Sequence, residues 1–445
     1  MNLSYKQHFK NTALLAYPVV IGQLGHMMMG VVDSLMIGRV GAVPLAASAI
    51  ANGLFFLIFV IGLGVTFAIS PLVAIASSAN KPDECSSLVK QGLLVNTVFG
   101  VILCIVLIIC ADLIFYLNQP VNVAIAAASY LRIIAYSILP LMIFQTFKQF
   151  IEGLSVMMPA MVITIIANLF NAFGNWLFIY GKWGFPSLGL DGAGISTLIN
   201  RIFMAVAIIW YVLKSKRYKE YNLLNIEKVN LTMMKKILNL GLPSGIQYFF
   251  EVGAFAFGSV MVGWIGTIQL AAHQIAMNLA SITYMAITGI SSAAAIRVGN
   301  GVGSENIIET RRAGFSALIL GAGSMLIFGC VFIILKNFLP TLYIDNPEVI
   351  SIASVLLVFA AIFQVFDGSQ AVGLGILRGL IDVKIPTIIT FTAYWIIMIP
   401  TGYAFAFILN MGVNGIWLGY VLGLATSAIL LNTRFNLRSK KKIRL

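Results

Sequence analysis

A chain of 445 residues that is 60% hydrophobic and 10% charged, with a mean hydropathy of +0.97, has too much apolar surface for a water-soluble fold to bury. A soluble globular domain is therefore excluded, and the solvent for most of the chain is lipid. The formal net charge of +13 raises nucleic acid as a partner, a reading that depends on where those charges fall.

Apolar runs approaching the ~20 residues needed to cross a bilayer recur along the whole chain and predict about twelve helical spans. The first is centred near residue 25; Lys6, His8 and Lys10 lead into it without a cleavage site, so it is read as retained. It contains Pro18 and, after Val31-Val32, Asp33. Leu54 to Ala76 and Val98 to Ile114 mark the second and third spans, and the next three centre near residues 140, 170 and 203. The most polar segment, Lys214 to Lys236, then reads as a cytoplasmic linker between two six-helix halves. The expected organisation is a bundle over 1–214, a linker over 215–235, a second bundle over 236–434 and a basic tail over 435–445. In the second half the spans centre near residues 250, 283, 323, 363, 395 and 422.

Placing the N-terminus and the even-numbered loops in the cytoplasm collects most of the 28 Lys and Arg there. Arg39, Lys182 and Lys336 fall outside, and Arg132, Lys148 and Arg201 fall within helices. This bias is the positive-inside pattern, so the basicity reports orientation and contact with anionic lipid, not nucleic acid, and both termini are expected in the cytoplasm. The four cysteines, Cys85, Cys104, Cys110 and Cys330, lack paired spacing, and no transition-metal site is read from them.

The halves repeat. Shifted by 225 residues, Pro18 meets Pro243, Ile21 meets Ile246, Ser34 meets Ser259, Gly41 meets Gly266, and Leu45-Ala46-Ala47 meets Leu270-Ala271-Ala272. A second echo pairs Phe144, Gln145 and Phe147 with Phe363, Gln364 and Phe366, and Gly153-Leu154 with Gly379-Leu380. An even number of helices per half implies a parallel repeat, which favours a transporter with a central cavity, although a pore or a membrane enzyme can also be duplicated.

Ionisable side chains at mid-bilayer cost ~2.5–3.5 kcal/mol each even on lenient scales. Asp33, Glu251 and Asp367 therefore stand out. Gln364, Asp367 and Gln370 recur on roughly one helical face beside Phe363, and Gln247 lies one turn before Glu251. Gln274, Asn278 and Ser281 form a third stripe ending at Tyr284. These faces suggest a hydrated cavity that binds a cation or proton reversibly; hydrogen bonding between neighbouring helices is the alternative for each. Pro18, Pro243, Gly368, Gly373 and Gly375 are candidates for bending or close helix packing. No nucleotide-binding or hydrolase motif is present, so no cofactor is expected and transport would run on an ion gradient or downhill.

At these residues the chain resembles the multidrug and toxic compound extrusion (MATE) family, in particular its NorM-type bacterial branch. The resemblance rests on Val32-Asp33-Ser34-Leu35-Met36-Ile37-Gly38, Leu270-Ala271-Ala272-His273-Gln274-Ile275 and Gly375-Ile376-Leu377-Arg378-Gly379. It implies cation coupling at Glu251 and Asp367 in the second half, and at Asp33 with Asn171, Asn175 and Thr197 in the first. Asn175 stands where relatives carry a second acid, which leaves Asp33 as the sole carboxylate of that group. The implied function is a monomeric antiporter in a prokaryotic cytoplasmic membrane, exporting amphipathic organic cations in exchange for Na⁺ or H⁺ by alternating access. The ligand inventory favours Na⁺. The rival readings are a flippase for lipid-linked saccharides, which calls for a basic cavity, and a membrane-embedded transferase, which calls for clustered catalytic groups.

Overall fold

The computed structural model describes residues 3–225 and 227–440, and these form helices with no strand. The end of the expected basic tail, residues 441–445, lies outside the described residues. Eleven helices are long and apolar enough to cross a membrane, and a bent pair makes a twelfth span. In chain order they are α1 (Tyr5–Gly38), α2 (Ala42–Ser78), α3 (Pro82–Tyr116), α4 (Val121–Tyr136 with Ile138–Gly153), α5 (Met158–Tyr180) and α6 (Gly189–Lys214). The second half holds α7 (Leu231–Ile265), α8 (Thr267–Gly303), α9 (Ile307–Leu335), α10 (Pro347–Gly379), α11 (Lys384–Ile408) and α12 (Val413–Arg438). At 1.5 Å per residue the 37 residues of α8 run about 55 Å, well beyond a hydrocarbon core of about 30 Å.

Two compact units result, Ile21–Gly245 and Met1–Val20 with Ile246–Leu445. The division therefore passes through α1 and α7, not through the linker at 215–235. The linker packs into the first unit, where Tyr218 and Tyr221 are buried against Phe150, with ring centroids 6.1 and 5.5 Å away.

Each unit repeats the other's contacts. A Cβ on Gly64 of α2 would collide with the backbone of Gly245 on α7, and one on Gly289 of α8, 225 residues on, would lie 2.5 Å from Val20 Cγ2 on α1. In the first unit a Cβ on Gly153 would lie 2.7 Å from the Ser70 carbonyl and 2.8 Å from Val73 Cβ. In the second, a Cβ on Gly379 would lie 2.5 Å from the Ala295 carbonyl and 2.9 Å from Val298 Cβ. The helix ends match as well. Asn80 and Glu305 take left-handed backbone angles (φ 54 and 53), as do Ser155 and Ile381 (φ 61 and 58), and each turn closes with a 6→1 bond onto the preceding helix.

The structural register corrects half of the second echo. α4 and α10 end to end differ by 226 residues, which keeps Gly153 opposite Gly379 but sets Phe144 two helical turns away from Phe363. The two helices also differ in shape, because α4 bends by 40° at Ser137 where α10 is continuous. Pro140 is the cause: it has no N–H to offer the Tyr136 carbonyl, and its ring crowds that group. By contrast α1 and α7 continue through Pro18 and Pro243. Gly368 and Gly375 sit in the unbroken α10 as close-packing positions. A Cβ on the first would press on Met325 Cγ at 2.6 Å, and one on the second on Ser291 Oγ at 2.5 Å. Gly373 faces Asn432 Oδ1 at 3.0 Å in the same way.

Candidate functional site

In the unit Met1–Val20 with Ile246–Leu445, three helices bring their polar faces together. α7 supplies Gln247 and Glu251, and α10 supplies Gln364, Asp367 and Gln370, all at most 6% exposed. α8 supplies Tyr284, whose hydroxyl donates to Glu251 Oε1 at 3.4 Å. A fourth helix joins them without having been anticipated. α11 is widened by π-helical turns over Thr392–Met398 and Ala404–Ile408, on either side of Pro400. Such turns relieve the clash and the missing donor that a mid-helix proline imposes. The first wide turn carries Tyr394, fully buried, whose hydroxyl donates to Gln370 Oε1 at 3.1 Å and also reaches Glu251. The indole of Trp395 donates to the Phe250 carbonyl at 3.1 Å, fastening α11 to α7 one residue before Glu251.

This cluster leaves polar atoms in reserve. Glu251 Oε2, Gln247 Nε2, Gln370 Nε2 and both amide atoms of Gln364 are buried with no protein partner. Leaving one such atom unmet costs about 1–3 kcal/mol, so a set of them on one site points to a ligand that completes it. Positive charge is close by. Arg378 is 8% exposed, sits over the Tyr248 ring at 5.7 Å and donates to Ser291 Oγ at 3.3 Å, and its charge acts on Glu251. It appeared in the sequence only as part of a glycine motif.

The α8 stripe does not converge as expected. Gln274 and Asn278 are exposed, and Asn278 Oδ1 accepts a bond from the Tyr343 hydroxyl at 2.8 Å. At 1.5 Å per residue they lie roughly 15 and 9 Å along the helix from Tyr284, too far for one site. Phe363 belongs to an aromatic core with Phe255, Trp417 and Tyr420, at centroid distances of 6.1, 5.8 and 6.5 Å. His273, from the same run as Gln274, is buried: the Trp417 indole donates to its Nδ1 at 3.2 Å, leaving Nε2 to bond Ser259 Oγ at 3.0 Å.

In the unit Ile21–Gly245, α1, α5 and α6 assemble the second group. Asn175 Nδ2 donates to Asp33 Oδ1 at 2.5 Å and lies 3.4 Å from Asn171 Oδ1. Asn171 Nδ2, Asn175 Oδ1 and Thr197 Oγ1 are buried without a protein partner. Arg201, one turn beyond Thr197 on α6, adds a positive charge that acts on Asp33; it stacks on Phe55 at 4.5 Å and donates to Ser137 Oγ at 2.6 Å.

The two groups are not copies. In the 225-residue register Glu251 corresponds to His26, and Asp33 corresponds to Gly258, so the acids on α1 and α7 sit seven residues, about 10 Å, apart along equivalent helices. The scaffold around them does repeat. Asn168 of α5 donates to the Gly25 carbonyl at 2.8 Å, just as Trp395 of α11 bonds Phe250, the equivalent residue of α7.

Comparison with known proteins agrees with the doubled architecture. The sequence model of the MatE family matches twice, over residues 18–177 and 243–404. The chain is 34% identical to the probable multidrug resistance protein NorM of Rhizobium meliloti, over 97% of this chain and 94% of that protein. It is also 34% identical to the multidrug resistance protein NorM of Photobacterium profundum, over 97% and 96%. In structure it resembles the eukaryotic MATE transporter AtDTX14 with a TM-score of 0.90 at 20% identity, covering 98% of both chains. It resembles a MATE in the bent conformation with a TM-score of 0.87 at 18% identity, covering 100% of both.

Proposed function

The chain belongs to the MatE family and is a multidrug efflux transporter of the membrane, not an enzyme, and on that premise we propose that it exports organic cations by exchange for an inorganic cation. The observation that carries this reading is the cluster of Glu251, Asp367 and buried amides, whose unmet polar atoms sit within a span. A carboxylate pair in such surroundings is costly when empty and favourable when occupied. Occupancy by an external cation in one state, and its loss in the other, can therefore shift the equilibrium between inward and outward access. Asp33 with Asn171, Asn175 and Thr197 forms a second position for a cation, with Arg201 as its standing counter-charge.

Na⁺ is the better fit to this chemistry. A dehydrated Na⁺ needs several oxygen ligands, and both groups offer carboxylate, amide and hydroxyl oxygens together. The substrates are amphipathic organic cations and the surroundings are lipid; the protein works as a monomer in a prokaryotic cytoplasmic membrane with both termini inside. In vesicles given a Na⁺ gradient at clamped pH, efflux of a fluorescent organic cation should follow Na⁺ and be lost in Glu251→Gln and Asp367→Asn, with protein levels unchanged. Efflux that follows pH alone overturns the choice of ion. Full ion-driven efflux in both variants overturns the coupling role of the carboxylates.

A further inference from the structure

The Tyr394 hydroxyl has one proton and two acceptors. It donates to Gln370 Oε1 at 3.1 Å and reaches the Glu251 carboxylate, and the three groups come from α11, α10 and α7. A phenol can serve only one acceptor at full strength, and a bond to a charged carboxylate outcompetes one to a neutral amide. The wide turn over Thr392–Met398 aims the ring, which packs on Phe255 at 6.0 Å, and the Trp395 bond to the Phe250 carbonyl holds the turn against α7. Gln370 Nε2 and Glu251 Oε2 both lack partners, so both ends of the hydrogen-bond chain have room to rearrange.

We propose that Tyr394 is a positioning residue that couples the occupancy of Glu251 to α10 and α11 by moving its one proton between Glu251 and Gln370. This rests on Glu251 being the coupling site. With the carboxylate charged and empty, the hydroxyl turns to it and holds the empty state. With a cation or proton on Glu251, the hydroxyl returns to Gln370 and ties α11 to α10. No bond is made or broken beyond these hydrogen bonds. The other groups facing Glu251 are Tyr284 from α8, Asp367 and Arg378 from α10, and Tyr248 from its own helix. None of them is reported to bridge Glu251 and a neutral amide on another helix.

The competition predicts opposite signs for two substitutions. Tyr394→Phe keeps the ring and removes the proton, so the empty carboxylate loses a donor and the coupling ion binds more tightly. Its half-maximal concentration for efflux should fall roughly tenfold, with slower turnover at saturation because the ion leaves less readily. Gln370→Met removes the rival acceptor and leaves the proton on Glu251, so the half-maximal concentration should rise several-fold. The measurement is efflux of ethidium from vesicles containing the full-length protein, titrated with Na⁺ at fixed pH and with pH at fixed Na⁺. Shifts in the same direction, or no shift in Tyr394→Phe, overturn the proposal. A rise in Tyr394→Phe would make the hydroxyl an ion ligand and overturn it too. If Tyr394→Phe fails to accumulate, Gln370→Met decides alone, and an unchanged or lowered value overturns the proposal. Glu251→Gln separates the two failures: if that variant keeps its ion dependence, the coupling assignment is at fault and not the Tyr394 exchange.

Discussion

Asn175 is the residue at which this chain sets its first-unit site, and Asn175→Asp tests what the amide does there. In the native protein its Nδ2 donates to Asp33 Oδ1 at 2.5 Å, so one neutral donor satisfies the only carboxylate of the group. The substitution replaces that donor with an acceptor of nearly the same shape. At the same separation and an effective dielectric near 20, two carboxylate charges repel by about 6–7 kcal/mol. Rotation offers limited relief, since Asn175 is fully buried and Asn171 packs beside it. The pair must then hold a shared proton or a monovalent cation, either of which makes this unit sensitive to pH in a way the native Asp33–Asn175 pair is not. Efflux at a fixed Na⁺ gradient should therefore gain a pH dependence in Asn175→Asp that is absent from Asn175→Ala, in which the donor is lost but no charge is added. Superimposable pH profiles for the native protein and Asn175→Asp, at equal protein levels, would refute the reasoning, since the two acids would then not be sharing a site.

Two further outcomes follow from the fold. Gly64→Ala should reduce the amount of folded protein sharply, because its Cβ meets the backbone of Gly245 and overpacking of this kind costs about 1–3 kcal/mol or more, while Gly30→Ala, with open space around it, should be neutral or mildly stabilising; retention in detergent after heating compares them. Cysteines introduced at Leu224, which is 78% exposed in the linker, and at the exposed Lys440 should be shielded from impermeant thiol reagents in intact cells and react in inverted vesicles; labelling from outside would reverse the assigned orientation.

Composition and hydropathy were enough to place the spans, because crossing a bilayer demands a length and an apolarity that can be read without knowing any contact. All twelve predicted centres fall inside spans. The gapless match of α1–α2 to α7–α8 was likewise legible, since a duplicated packing surface preserves its glycines and prolines. The acids were visible as isolated charges in apolar runs, and the α10 face of Gln364, Asp367 and Gln370 followed from helical period alone.

Which of these residues meet was decided only by tertiary structure. The reach of the α8 stripe depends on how far along a long helix each side chain lies from its neighbours, so Tyr284 joined Glu251 while Gln274 and Asn278 did not. Tyr394 gave little sequence signal, because its aim comes from wide turns around Pro400 that no hydrophobic period records. Arg201 and Arg378 looked like ordinary basic residues until the fold placed their charges beside Asp33 and Glu251. The boundary of the compact units also escaped the sequence. A polar linker marks where the chain leaves the membrane, but packing decides which unit a helix belongs to, and Gly64 against Gly245 and Gly289 against Val20 draw that line through the middle of α7 and α1.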